Sequence, residues 1–588
     1  MNMTTDFQQG FLHQQERAFD NALACFKLLS ERPDCRERAL LEIAKTYKMM
    51  NKPAEAIDAF SALVLCAPGN DEGIRELGET ARLSNQCEKA ILVLDRMARA
   101  GTNDRVYLEL CKMYCFKAET VKARAALESF TRSHPESSEI NIELGKIYKK
   151  EGDYRRALGE LEKVLVVSPD NHDAWYELGD TYYQLADYAK AVQCFVKITA
   201  GPRADKELFL KLVELYSLLG DAEKSNRAAD AALRRAPTIP FGQDAMLSEI
   251  EILQRKTVLS SRVKRLWVTV TTRCNIKCKT CGLWHSNWDL PYKTAQEVMA
   301  LYPYLERIVW LGGEVFLYKH FEEMFDAAAK YSNLTQQIIT NGVILNERWT
   351  EKIIASGNTE LTFSVDGTTK EVYEEIRQGS DFEKLLVNIR RAMAVKKRLN
   401  SSINIRMNAV IMRTNYRQME QLLDFARDEG FNQVSFMALH FNMAPEENIF
   451  YENQDKEILN FVGAMIPRLR VKAEEYGIDL DILLPPCEQE SPCAEGEREM
   501  PSVPAIKCGV PSENAAPPLY CKRPWQYLMI CDKGAVILTG SCVKPVGNID
   551  THSIAEIWNS PASQLYRKSM IDNAPEGICR DECRSRME

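Results

Sequence analysis

Two different periods of apolar and polar residues divide the chain. Up to about residue 240, apolar and small residues return at helical spacing within blocks of 33 or 34. Tyr47, Ala81, Tyr114, Tyr148, Tyr182 and Tyr216 follow one another at steps of 34, 33, 34, 34 and 34 residues. Ala56, Ala90, Ala123, Ala157, Ala191 and Ser225 keep the same steps, Ala22 extends them back once, and Pro68, Pro135, Pro169 and Pro237 close their blocks. This period predicts stacked helical pairs, each burying its apolar face only against its neighbours. Small residues at Ala44, Gly78, Gly145 and Gly179 predict close approach of the paired helices. Beyond the basic stretch 255–264 the pattern changes. Short β-branched runs at 266–271, 307–311, 337–340, 361–365, 403–410 and 433–437 are separated by helical segments such as 385–398 and 419–429. Six strand–helix units predict a partial parallel α/β barrel, with function at the C-terminal ends of its strands. Eight prolines between 485 and 518 predict an irregular connection. Past it, 521–542 reads as a hairpin turning at Asp532-Lys533-Gly534 with a cysteine at either end.

The best block, Ala174-Trp-Tyr-Glu-Leu-Gly-Asp-Thr-Tyr182 followed by Ala191 and Phe195, resembles the tetratricopeptide repeat. The resemblance covers about 6–237 and implies an all-α solenoid that binds a peptide or partner protein. The repeated residues are structural. Cys25, Cys35, Cys66, Cys87, Cys111, Cys115 and Cys194 fall within the helical blocks and are expected to act as small apolar residues.

Composition narrows the classes. The 588 residues carry a net charge of −8, so nothing in the balance suggests a nucleic-acid partner. No apolar run approaches the ~18 residues of a membrane helix. The polar N-terminus lacks the pattern of a signal peptide, and a cytosolic protein is expected. In such a chain 18 cysteines are metal ligands or core residues rather than disulfides. Seven precede residue 200, three lie at 274–281 and eight follow residue 486.

Cys274, Cys278 and Cys281 sit directly after the first strand, in C-x3-C-x2-C spacing. A structural zinc site wants four ligands, whereas three thiolates on one loop suit a cubane cluster with one iron left open. The stretch Thr271-Thr-Arg-Cys-Asn-Ile-Lys-Cys-Lys-Thr-Cys-Gly-Leu-Trp284 resembles the cluster loop of the radical SAM enzymes. The resemblance implies that the open iron binds the amino and carboxylate groups of S-adenosylmethionine (SAM). It also implies SAM-binding roles for the polar strand ends. Gly312-Gly313-Glu314 would hold the methionine amino group. Asn341, in Thr340-Asn341-Gly342, and Asp366, in Ser364-Val-Asp-Gly367, belong to recurrent family segments. Ser364 and Arg377 would contact the ribose and the methionine carboxylate, and Asn415 is a further candidate. The chain departs from the family at Val315, where Pro is usual, and at Thr280, where an aromatic often packs near adenine; Trp284 is then the candidate for that packing.

The C-terminal cysteines resemble a SPASM/twitch domain, a small α+β domain carrying auxiliary iron–sulfur clusters. The resemblance implies that Cys521, Cys542, Cys579 and Cys583 ligate one auxiliary [4Fe–4S] cluster, the number of thiolates it needs. Gly534 and Cys542 are separated by seven residues where the family usually has four, and the dense cysteine run of the double-cluster version is absent. One auxiliary cluster is therefore expected. Cys487, Cys493 and Cys508 are left either as ligands of a second cluster or as free thiols of a capping loop. Cys531 is expected mid-strand as a core residue, with hydrogen-atom donation to a substrate as a secondary role.

The expected domains are a repeat solenoid over 6–240, a radical SAM core over 260–484, a linker or capping loop over 485–518 and a SPASM/twitch-like domain over 519–588. The expected activity is [4Fe–4S]-dependent reductive cleavage of SAM to a 5′-deoxyadenosyl radical that abstracts hydrogen from substrate. The repeats favour a peptide or protein substrate, and a flavodoxin or ferredoxin would supply electrons. Two alternatives stand beside it: oxidation or epimerisation of a sugar or other small metabolite, with the repeats docking a partner, and a repeat scaffold whose barrel has lost activity.

Overall fold

In the computed structural model the described residues are 3–101, 104–132, 134–283, 286–439, 444–451, 455–485, 521–538 and 544–574. They divide into two compact units, one ending at Asp221 and the other beginning at Ala222.

The first unit is helical throughout its described length, from Met3–Gln15 to Lys206–Leu218. The helices alternate as the 34-residue period requires. His172–Gln184 and Tyr188–Lys197 form one pair, and Ser138–Lys150 and Tyr154–Val167 form another. The small residues act where expected. A Cβ on Gly145 would lie 2.9 Å from Leu161, and one on Gly179 would lie 2.9 Å from Phe195. The side chain of the second helix therefore occupies the space the first leaves open. Ion pairs tie successive repeats: Lys149 reaches Glu177 at 2.7 Å and Asp180 at 2.6 Å, and Asp180 also pairs with Lys211. Cys35, Cys87, Cys111 and Cys194 are buried as small apolar residues, Cys25 and Cys115 are half-buried, and Cys66 is exposed, contrary to expectation. Cys66 closes its helix, where side chains leave the inter-helix face.

The second unit is built on a ten-stranded sheet. Its strands are β1 (Arg265–Thr271), β2 (Arg307–Gly312), β3 (Thr335–Thr340), β4 (Thr359–Ser364), β5 (Asn404–Ile411), β6 (Gln433–Ala438), β7 (Asp479–Leu483), β8 (Tyr527–Ile530), β9 (Ala535–Ile537) and β10 (Gly547–Asn548). The order is β10-β9-β8-β1-β2-β3-β4-β5-β6-β7. β1 to β7 run parallel, and β8 adds to β1 in parallel with Val268 opposite Ile530. β9 pairs antiparallel with β8, making the expected hairpin through Asp532–Gly534, and β10 pairs antiparallel with β9. Two features exceed the sequence reading. β7 is a seventh parallel strand, and the C-terminal domain continues the same sheet rather than standing apart.

One face of the sheet is apolar and packs on the helices. Leu266, Val268, Val270, Ile308, Trp310, Ile338, Leu361, Phe363, Ile405, Met407, Val434 and Phe436 are all buried in one core. The helix Pro240–Leu253 belongs to this unit. Its Asp244 pairs with buried Lys264, and its Glu251 accepts from Ser260 N (2.6 Å), Ser261 N (3.1 Å) and Ser261 Oγ (2.5 Å). The segment leading into β1 is thus held by two buried acids seven residues apart on one helix.

The C-terminal domain clasps the same lead-in segment. Trp525 Nε1 donates to Lys256 O (2.7 Å) and Trp558 Nε1 to Ser261 O (2.9 Å). Arg567 is fully buried and donates to Pro524 O (3.0 Å), Thr257 O (2.8 Å) and Trp558 O (2.8 Å), with its guanidinium over the Trp558 ring. Carbonyl oxygens rather than a carboxylate satisfy this charge. Burial accordingly pulls its pKa down to about 9.

Candidate active site

The C-terminal ends of β1 to β4 converge on the loop carrying Cys274, Cys278 and Cys281. The loop is anchored before its first cysteine. Thr271 Oγ1 donates to Asp289 Oδ1 (2.6 Å), and Arg273 grips the same carboxylate with Nε (3.0 Å) and Nη2 (2.8 Å) while also reaching Leu317 O (2.8 Å). Thr272 Oγ1 donates to Ser286 O (2.9 Å) and accepts from Trp288 N (2.8 Å). These four residues were not singled out in sequence. Asp289 lies eight residues past Cys281, with no recognised motif around it.

Gly312 and Gly313 bind backbone to backbone. Gly313 N donates to Thr271 O (2.8 Å) and Glu314 N to Arg273 O (2.8 Å). A Cβ on Gly312, which has φ +134°, would lie 2.1 Å from Thr271 O, and one on Gly313 would lie 2.2 Å from Arg273 O. The glycines therefore admit the stem of the cluster loop itself, and this close approach sets Glu314 beneath it.

Glu314 is fully buried. Its oxygens accept from Thr340 Oγ1 (2.9 and 3.0 Å) and Asn341 N (3.0 Å). Burial outweighs these bonds and the nearby Arg377 charge, and pushes its carboxyl pKa up to about 7. Asn341 Nδ2 donates to Asn275 Oδ1 (2.9 Å) and lies 3.7 Å from Cys274 Sγ.

Arg377 is not a solvated helix end. Residues Lys277–Cys278 pair antiparallel with Arg377–Gln378, Cys278 directly opposite Arg377. The guanidinium donates from Nη2 to Asp366 Oδ2 (2.7 Å) and from Nη1 to Cys278 Sγ (3.8 Å). Among the described residues its Nε–H is buried without a partner. Asp366 also accepts from Val410 N (2.9 Å), so it braces Arg377 against β5. Asn415 is likewise spent internally: it donates to Asp366 O and Val410 O (both 2.8 Å) and accepts from Met412 N (2.8 Å). The structure thus makes Asp366 and Asn415 supports. Ser364 ends β4, half-buried, opposite Asn408 of β5.

Burial raises the pKa of Cys274, and burial together with the neighbouring Asp366 and cysteine charges raises that of Cys278 to about 11 despite Arg377. Among the described residues no three acid, Cys or His side chains are gathered closely enough for a single ion. A cubane differs, because it takes one thiolate at each corner and holds them farther apart. The rest of the site suits a zwitterionic ligand beside such a cluster. A buried carboxyl that is costly to ionise alone would be relieved by an ammonium, and an unpartnered Nε–H by a carboxylate. These are the charged ends of the methionine moiety of SAM.

In the C-terminal domain, Cys521 is buried and its Sγ accepts from Arg523 N (3.4 Å). Cys542, Cys579, Cys583, Cys487, Cys493 and Cys508, and the adenine candidate Trp284, lie outside the described residues. Cys531 is not mid-strand. It follows the last residue of β8 and is half-buried at the same end of the sheet as the cluster loop. Burial pushes its thiol up to about 11. No helix among the described residues is long and apolar enough to cross a membrane.

Residues 268–426 match the Radical SAM superfamily, residues 521–584 match an iron–sulfur cluster-binding domain (SPASM), and residues 38–65 and 142–204 match tetratricopeptide repeats. A probable GTP 3′,8-cyclase of Methanocaldococcus jannaschii is 25% identical over 218 residues, 34% of this chain and 71% of the relative. A GTP 3′,8-cyclase of Synechocystis is 24% identical over 224 residues, 36% of this chain and 66% of the relative. Among solved structures, Streptococcus suis SuiB bound to S-adenosylmethionine is 16% identical, with a TM-score of 0.41 over 62% of this chain and 83% of that one. The cofactors that go with these domains are a [4Fe–4S] cluster, SAM and an auxiliary iron–sulfur cluster. The chain is a radical SAM enzyme with tetratricopeptide repeats before its catalytic domain and a SPASM domain after it.

Proposed function

We propose that Cys274, Cys278 and Cys281 hold the SAM-binding cluster and that the enzyme modifies a peptide or protein. When bound and reduced, the cluster supplies one electron that cleaves SAM to methionine and a 5′-deoxyadenosyl radical, which takes a hydrogen atom from substrate. The chain's own part is orientation and exclusion of side reactions. Glu314 receives the ammonium of SAM, and Arg377 offers its unpartnered Nε–H to the carboxylate. Thr340 and Asn341 hold Glu314, Asp366 holds Arg377, and the Arg273–Asp289 pair fixes the loop. Cys521, Cys542, Cys579 and Cys583 are the proposed ligands of the auxiliary cluster. A flavodoxin or ferredoxin is the proposed electron donor.

The observation carrying the site assignment is the gathering of Glu314 and Asn341, from the ends of β2 and β3, and Arg377, from the end of the helix Lys370–Ile376, about Cys274 and Cys278. The peptide assignment rests on the repeat helices that fill the first unit. A second reading, a small nucleotide or other metabolite as substrate, draws on the relatives named GTP 3′,8-cyclase. A chain beginning at Ala222 separates the two. A small metabolite should still be turned over by this shortened enzyme, whereas a peptide held by the repeats should be processed by the full chain only.

A further inference from the structure

Two of the three cluster cysteines carry a side-chain N–H donor on sulfur, and both donors are fixed in place. Arg377 is set opposite Cys278 by backbone pairing, and the neighbouring Lys279 N–H donates to Ile376 O (2.9 Å). Its Nη2 is held by Asp366 at 2.7 Å, which leaves Nη1 aimed at Cys278 Sγ at 3.8 Å. Asn341 is fixed from the other side. Its Oδ1 accepts from Val343 N (3.0 Å) and its Nδ2 donates to Asn275 Oδ1 (2.9 Å), with Cys274 Sγ at 3.7 Å from the same nitrogen. No side-chain donor reaches the sulfur of Cys281 among the described residues.

Donors of this kind do not ligate iron. They stabilise charge on the thiolate, and the charge on a cluster's thiolates grows when it accepts an electron. Hydrogen bonds to ligand sulfur and nearby positive charge therefore favour the reduced state and raise the reduction potential. We infer that Arg377 and Asn341 are positioning residues that set the potential of the SAM-binding cluster through Cys278 and Cys274, in addition to any contact with SAM. The inference rests on these cysteines being the ligands. The couple concerned is one-electron, [4Fe–4S]2+ plus one electron giving [4Fe–4S]1+, with dithionite as reductant and redox dyes as mediators.

The test is an anaerobic redox titration of the full-length reconstituted protein, following in every variant, without SAM, the EPR features that respond to SAM in the unaltered protein. That choice separates this cluster from the auxiliary one. Asn341→Ala alters no charge and removes one donor, so its midpoint should move negative relative to the unaltered protein. Arg377→Met should move it further negative. The double variant Arg377→Met with Asp366→Asn removes a positive and a negative charge together, and its midpoint should stay negative of the unaltered protein because the N–H to sulfur is still missing. A double variant returned to the original midpoint, with Asn341→Ala unmoved, would overturn the inference and assign the effect of Arg377 to net charge. Midpoints unmoved in all three variants, each with full iron and sulfide, would overturn it outright. Failure of the underlying ligand reading looks different: Cys278→Ala would then keep the SAM-sensitive signal.

Discussion

Gly313→Ala puts one of the closest packings in the site to the test. A Cβ there would lie 2.2 Å from Arg273 O and 2.7 Å from Thr272 O, whereas ordinary contact begins at 3.4 Å. The two backbone segments must therefore separate by a little over 1 Å. Neither segment can yield as a flexible side chain would, because both contacts are with backbone. The separation strains or breaks the bonds from Gly313 N to Thr271 O and from Glu314 N to Arg273 O, both 2.8 Å. Each is worth about 1 kcal/mol net, and the overpacking costs a further ~1–3 kcal/mol. The expected loss is about 3–5 kcal/mol, concentrated where the cluster loop leaves β1. A misplacement of ~1 Å in a reacting geometry can cost about 100-fold in rate. The assay is iron and sulfide content after anaerobic reconstitution, with 5′-deoxyadenosine formation measured per cluster and far-UV circular dichroism to confirm folding. Reduced cluster content and at least a ~100-fold loss of cleavage per cluster are expected. A folded Gly313→Ala protein with full cluster content and undiminished cleavage would refute the claim that this approach positions the site.

Other consequences are equally concrete. Glu314 has a folded pKa of about 7, above its ordinary 4.5, so without SAM its contribution to stability is full below pH 4.5 and is lost as pH rises through 7. SAM binding to the cluster-loaded protein should accordingly tighten as pH rises from 6 to 8, and Glu314→Gln should bind more weakly with this dependence flattened, as read by equilibrium binding. Arg567→Met leaves three buried carbonyls without their donor; at about 1 kcal/mol or more for each, urea unfolding of the catalytic unit should lose at least ~3 kcal/mol. A chain beginning at Ala222 should retain the melting behaviour of the catalytic unit, while one beginning at Gln254 loses Asp244 and Glu251, strands Lys264 as an unpaired buried charge and should melt well below it in a calorimetric scan.

What the sequence disclosed depended on whether the responsible interactions were local. The repeat period and the six strands reported their own burial through apolar patterning, and the helix Met419–Glu429 fell where expected because Gly430 ends it in the left-handed conformation. β7 was missed because Asp479-Leu-Asp-Ile-Leu483 is a five-residue, half-exposed edge strand that runs directly into the proline-rich stretch. The parallel addition of β8 to β1 joins residues some 260 positions apart, and no periodicity encodes it. Among the candidate site residues, the cysteines and Glu314 stand out in sequence because they follow β1 and β2 directly, whereas Arg377 lies thirteen residues past β4. The division of labour was not legible. Asp366 and Asn415 stand in recurrent segments, yet their side chains are consumed in holding Arg377 and the loop after β5. The glycines of Gly312-Gly313-Glu314 admit the backbone of Thr271–Arg273, a contact that the sequence does not announce. Only the pairing partner could reveal this, and the partner lies some forty residues earlier.

The most direct test of the central claim is anaerobic incubation of the reconstituted full-length protein with SAM and dithionite, with 5′-deoxyadenosine and methionine quantified over time. Time-dependent release of both products in equal amounts, abolished in Cys274→Ala, Cys278→Ala and Cys281→Ala, is the result predicted. Release no greater than in the Cys274→Ala protein, from a preparation with full iron content, would contradict it.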